Sequence, residues 1–172
     1  MNIELRPIEL SDAADLAANL GQSAISRFFE TPFPSPMPVE QSRAFIENIL
    51  ASNSTAQAWV IQADAAHGGT ILVHFGSGVY EKNATIGYYV PPSLWGRGVM
   101  SAALKLFSCE IFRQKPDLER LEALVTAENV GSCRALEKAG FTREGVLRHK
   151  ACKNGVFLDL ISFSLLREDN KK

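Results

Sequence analysis

Between Tyr88 and Ser101 an apolar strand, Tyr88-Tyr89-Val90, runs through Pro91-Pro92-Ser93-Leu94-Trp95 into a turn with two glycines and then directly into a helix. Gly96 and Gly98 let the backbone turn sharply and leave room for a ligand to come close. The helix behind them presents N–H groups without intrahelical acceptors and the positive end of its dipole, so the junction suits a pyrophosphate. Such a seat is built mostly of backbone. A G-x-G turn alone also serves as a plain connection between strand and helix, so the order of the other elements has to choose between the two readings.

Upstream, Ile3 to Ile8 alternates like a strand, Ser11 is placed to cap a helix through Leu20, and a second helix is predicted around Gln22 to Phe29. Thr31 to Pro38 alternates proline with other residues and reads as a rigid loop. Pro38 then suits the first turn of a helix whose apolar stripe is Ala44, Phe45, Ile49 and Leu50. Three strands follow, Ala58 to Ala63, Thr70 to Gly76 and Ala84 to Val90, separated by His67-Gly68-Gly69 and by Glu81-Lys82-Asn83. Links this short predict antiparallel pairing. Beyond the two-glycine turn the pattern predicts a helix from Val99 to Arg113, a strand Arg120 to Thr126, a short helix Val130 to Ala139, and strands near Thr142 to Ala151 and Phe157 to Leu165. The result is a mixed α/β architecture of the α+β kind, not the alternating units of a doubly wound sheet. That order weighs against a competing enzyme reading, an NAD-dependent oxidoreductase with Gly96-Arg97-Gly98-Val99-Met100-Ser101 as an imperfect dinucleotide fingerprint and Glu119 on a ribose hydroxyl.

A chain of 172 residues with 46% hydrophobic content fits one domain with a real core. Its apolar runs are interrupted well short of membrane-spanning length, and no basic-then-apolar leader opens it, which predicts a cytoplasmic protein with no membrane partner. Cys109, Cys133 and Cys152 are odd in number without a C-x-x-C pair, and His67, His74 and His149 are scattered, so neither a disulfide framework nor a metal site is expected. A net charge of -1 argues against a nucleic-acid partner, which requires a basic face.

The second informative segment is Thr126-Ala127-Glu128-Asn129-Val130-Gly131-Ser132-Cys133-Arg134-Ala135-Leu136-Glu137-Lys138-Ala139-Gly140-Phe141. Asn129 is a natural N-cap for a helix that Gly140 closes, with Phe141 as the apolar contact after the turn. With the first segment it resembles the GCN5-related N-acetyltransferase family, in which a glycine turn before a helix and a later N-x-x-S/A helix ending in G-F hold coenzyme A. The likeness extends from Arg6-Pro7 through Glu144-Gly145-Val146-Leu147-Arg148 to Asp159, and is greatest to the branch that acetylates the N-termini of ribosomal proteins. It implies a single domain over residues 1–172 with a central, mostly antiparallel, splayed sheet of about seven strands flanked by helices. It also implies acetyl-CoA as acetyl donor and a primary amine as acceptor, either a protein N-terminus or a small amine. The exposed edge of such a sheet admits a homodimer.

The resemblance assigns the pantetheine arm to the backbone of Tyr89 and Val90, with the Val90 N–H stabilising the developing oxyanion. It assigns the pyrophosphate to Arg97, Gly98, Val99 and Ser101. Asn129 then meets the pantetheine amide, and Ser132 donates a hydrogen bond to the thiolate as it leaves. Trp95 and Met100 depart from the family pattern, so the Met100 side chain must point away from the phosphates. Leu136 stands where many relatives carry a tyrosine acid, which places the weight on Ser132. Candidates for the base are Glu30, Glu81, Glu122, Glu128 and Asp159, with Thr85 replacing an acidic residue frequent in relatives. Arg134 and Lys138 could reach the adenosine 3′-phosphate, although a basic solvated face accounts for them equally well, and Phe28, Phe29 and Phe33 could border the acceptor, although an aromatic cluster there is more often plain core. Cys133 reads as a small apolar core residue, not a nucleophile. A different class of reading is a non-catalytic sensor or docking module that binds acetyl-CoA.

Overall fold

The computed structural model describes residues 1–29 and 33–171, and Glu30, one of the candidate bases, lies outside them, as does the start of the proline-rich loop. The chain divides into two compact units, Met1–His74 with Gly87–Val99, and Phe75–Ile86 with Met100–Lys172. Among the described residues seven strands hydrogen-bond in the order β1-β2-β3-β4-β5-β7-β6.

In the first unit β1 (Ile3–Pro7) pairs antiparallel with β2 (Ala56–Ala63), which pairs antiparallel with β3 (Ala66–Phe75). The β2–β3 turn is Asp64-Ala65, not the expected His67-Gly68-Gly69. Both turn residues have positive φ, 50° and 66°, the backbone handedness that suits two-residue hairpins. Gly68 and Gly69 therefore lie inside β3. At Gly69 a Cβ would fall 2.2 Å from the Tyr89 carbonyl oxygen, so this glycine permits a close backbone approach.

The helices of this unit are α1 (Ala13–Leu20), α2 (Ser23–Ser26) and α3 (Val39–Leu50). Ser11 does not cap α1. The helical segment starts at Leu10 as a 3-10 turn, where the Glu9 N–H donates to Asp12 Oδ2 at 2.8 Å and the Arg6 guanidinium donates to both Asp12 oxygens. Burial alone would raise the Asp12 carboxyl, but Arg6 and the Glu9 amide together leave it below its usual value. Pro38 is the N-cap of α3 instead of a first-turn residue, and the buried stripe is Ser42, Ile46 and Ile49, with Ala44 and Leu50 exposed. Ile8, Leu16, Leu20, Ile25, Ile46, Val60 and Tyr89 form one apolar cluster. Phe29 and Phe33, edge to face with each other, pack against it, which gives these two aromatic rings a core role.

In the second unit the start of β4 (Asn83–Tyr89) runs parallel to β5 (Arg120–Thr126), with ladder partners from Asn83↔Arg120 to Thr85↔Glu122. Next, β5 pairs antiparallel with β7 (Val156–Leu166) along its whole length, and β7 with β6 (Thr142–Lys153). Asn154 and Gly155, with φ of 52° and 77°, turn β6 into β7, so both strands run longer than expected. Helix α4 (Val99–Gln114) buries Ala103, Leu104, Phe107, Ser108, Ile111 and Phe112 at helical spacing. Helix α5 (Val130–Ala139) buries Cys133, Leu136 and Ala139.

Candidate active site

Within the first unit β4 ends at Tyr89, and Pro91 and Pro92 cannot extend the ladder because they lack N–H donors. A 3-10 turn over Pro92–Leu94 follows, and the Trp95 indole N–H then donates to the Val90 carbonyl at 2.9 Å. Trp95, a departure from the family pattern in the sequence, thus ties the loop back to the end of the strand. Gly96 and Gly98 have φ of 73° and 77°, the left-handed conformation that residues with a Cβ enter at a cost. Arg97 between them is exposed, and Val99, the first residue of α4, is buried.

Tyr89 and Val90 are buried. The Tyr89 hydroxyl lies 3.3 Å from Thr70 Oγ1, and burial raises its phenol above the ordinary value. Its side chain therefore belongs to the apolar cluster, and its backbone is what a ligand could use. Where α4 continues into the second unit, Met100 is buried and Ser101 is half-buried in the first helical turn. A left-handed glycine turn followed at once by a helix N-terminus fits a pyrophosphate by donor chemistry and by shape.

In the second unit Asn129 Oδ1 accepts the Ser132 N–H at 3.1 Å and caps α5. Gly140 closes the helix with φ of 98°, and Phe141 donates its N–H to the Leu136 carbonyl at 3.0 Å and is buried. With Oδ1 engaged in the cap, the Asn129 amide nitrogen carries the donors left for a ligand. Ser132 is half-buried in the first turn, and the Cys133 thiol is raised by burial, opposite to what a reactive nucleophile needs.

Asp159 spends one oxygen on backbone: its Oδ1 accepts the His149 N–H at 2.8 Å, while its carbonyl accepts the Ala127 N–H. Glu122 pairs with Arg120 at 2.6 Å, and Glu81 and Glu128 are exposed. Arg134 and Lys138 lie on the exposed face of α5. Glu119 pairs with Arg167 at 3.7 Å. Among the described residues no group of three or more His, Cys, Asp or Glu is placed to hold a metal ion, and no helix is long and apolar enough to cross a membrane.

A mixed sheet with a glycine turn opening one helix and an asparagine-capped N-x-x-S helix later in the chain defines an acetyltransferase of the GNAT class. The chain belongs to that family: the acetyltransferase (GNAT) domain model matches residues 2–142. It is an N-acetyltransferase that uses acetyl-CoA. Among individual proteins it is similar to "Probable N-acetyltransferase YjcK" of Bacillus subtilis (strain 168), 31% identical over 99% of this chain and 97% of that protein. Of solved structures, Mycobacterium smegmatis RimJ in complex with CoA-disulfide superimposes with a TM-score of 0.85 at 26% identity, covering 97% of this chain and 83% of that one. The fold also matches spermidine N-acetyltransferase from Vibrio cholerae, in complex with CoA and spermine, with a TM-score of 0.84 at 16% identity over 99% and 98% of the two chains.

Proposed function

We propose that this protein moves acetyl directly from acetyl-CoA to the α-amine of a protein N-terminus of the ribosomal-protein type, in the cytoplasm, with residues 1–172 acting as one domain. The observation that carries the reading is the pair of left-handed glycines, Gly96 and Gly98, set immediately before the first turn of α4. When bound, acetyl-CoA supplies the acetyl thioester. Gly98, Val99 and Ser101 offer backbone N–H and hydroxyl donors to the pyrophosphate, and Arg97 adds a charge-assisted contact. The main chain of Tyr89 and Val90 holds the pantetheine arm, and the Val90 N–H stabilises charge on the acyl oxygen. The Asn129 amide nitrogen donates to the same arm, and Ser132 donates to the sulfur as negative charge develops there. No acyl-enzyme is needed, since Cys133 is buried with a raised pKa. A homodimer formed at an open sheet edge, β1 or β6, belongs to the same reading.

The choice of acceptor is supported by 30% identity, over 52% of this chain and 48% of that protein, to "Putative ribosomal N-acetyltransferase YdaF" of Bacillus subtilis (strain 168), against 16% to a spermidine N-acetyltransferase. Initial rates with acetyl-CoA and equal concentrations of N-terminal alanine and serine peptides or spermidine test it. Peptide turnover well above that of spermidine is expected. Preference for spermidine overturns the acceptor assignment, and no turnover with any amine overturns the catalytic one.

A further inference from the structure

Strands β6 and β7 carry Arg143, Arg148, Lys150 and Lys153 against Glu144 and Asp159, an excess of positive charge in a chain whose net charge is -1. Both acids are already engaged: Arg120 donates to both Glu144 oxygens, and Asp159 Oδ1 accepts the His149 N–H at 2.8 Å. Arg148 and Lys150 are exposed, and neither forms an ion pair among the described residues.

These two cations line an open pocket of about 680 Å³ together with Val146, Leu147, His149 and Asp159. The pocket is built by an irregularity in β6: the register steps from Leu147↔Leu160 to Ala151↔Leu158, so Arg148, His149 and Lys150 bulge out opposite Asp159. At the centre of the bulge His149 takes a φ of 51°, uncommon for a residue with a Cβ, and is held there by its N–H bond to Asp159 and by its ring, stacked on Phe157 at 5.0 Å. The backbone that carries both cations is therefore braced. Asp159 also locates the pocket. The β5–β7 ladder ends at Thr126↔Leu160, and the next β7 residue, Asp159, accepts the Ala127 N–H through its carbonyl at 2.9 Å. Only two residues, at most about 7 Å of chain, separate Ala127 from Asn129, the cap that bonds the Ser132 N–H. The pocket and the residues assigned to the thiol thus stand at the same end of the second unit's strands.

We propose that Arg148 and Lys150 determine acceptor specificity, selecting an N-terminal segment that carries carboxylates in the residues just behind its α-amine. The proposal rests on the N-terminal-amine reading above. An extended peptide advances about 3.3–3.6 Å per residue, so a chain with its amine beside Ser132 lays its second to fourth residues along the β6 bulge. Carboxylates there gain charge-assisted hydrogen bonds from Arg148 and Lys150, and Val146 and Leu147 offer apolar wall to the side-chain stems. A segment with lysine or arginine at the same positions meets like charge, so the pair discriminates by repulsion as well as by attraction.

The test uses the full chain, acetyl-CoA and two peptides of equal length with the same N-terminal residue, one acidic and one basic at positions two to four. Wild type is expected to show a KM for the acidic peptide about tenfold below that for the basic one, a difference that shrinks in high salt. The double variant Arg148→Glu with Lys150→Glu is expected to reverse the order while keeping the KM for acetyl-CoA, and Arg148→Gln with Lys150→Gln, which adds no repulsion and serves should the first fold poorly, is expected to level it. Equal KM values for the two peptides in wild type, a wild-type ratio in the variants, or a change confined to the KM for acetyl-CoA overturns the assignment of Arg148 and Lys150 alone. A wild-type chain that acetylates neither peptide overturns the reading on which it rests.

Discussion

At the scale of single residues, the proposed cofactor seat depends on what side chains leave out as much as on what they add. Gly98 sits at φ of 77°, where a β-branched residue is strained by about 1–3 kcal/mol and brings a Cβ toward the ligand. Gly98→Val should therefore abolish the rise in melting temperature that acetyl-CoA produces, whereas Ser132→Ala should keep that rise and slow transfer about tenfold or more. Both are read from thermal shifts and initial rates; transfer by Ser132→Ala at the wild-type rate would remove the leaving-group role. Asn129 and Gly140 were legible in the sequence because caps act over three or four residues of local chain. Tyr89, Trp95 and Thr126 were not: their states depend on Thr70, on the Val90 carbonyl and on the ladder with β7. The hydrogen bond that Asp159 Oδ1 accepts was not legible for the same kind of reason, since the bulge that supplies it has no local signature.

Among the elements, the most exact agreement is at β5 and α5, whose ends fall where alternation, cap and closing glycine place them. Agreement was poorest at turns without strong signals, such as Asp64-Ala65, where glycines inside β3 drew the expected turn to the wrong place. The link between β5 and the β6–β7 hairpin is electrostatic as well as hydrogen-bonded. Arg120 donates to both Glu144 oxygens, and Ser164 donates to Glu144 at 2.8 Å. Arg120 and Ser164 hold the Glu144 carboxylate at about 2, against an ordinary 4.5. A carboxylate depressed in the folded state contributes stability that is fully present above its unfolded value and is lost as pH falls from about 4.5 through about 2. Glu144→Gln should make the melting temperature less dependent on pH across that window. The effect will be small because the Arg120 and Glu144 side chains are 23% and 38% exposed. Parallel melting curves for the variant and wild type would show that the pair contributes nothing.

For the whole molecule the decisive quantity is cofactor choice. Acetyl-CoA at about 100 times its dissociation constant should add about 2.7 kcal/mol of apparent stability, a rise of about 5–11 °C for a chain of this size, while NAD at equal concentration should add none. A shift with NAD alone would contradict the glycine-turn assignment. The sequence by itself determined the order and type of the elements, the glycine turn before α4 and the capped N-x-x-S helix. These follow from torsional preference, periodicity and hydrogen bonds that close within a few residues. Only the tertiary structure decided that Trp95 ties the loop to β4, that Tyr89 belongs to a core, that Asp159 braces a bulge and that the Thr126 hydroxyl is left without a partner among the described residues. Those outcomes depend on which distant segments meet in the sheet, and a buried polar atom has its partner, or lacks one, only once that packing is complete.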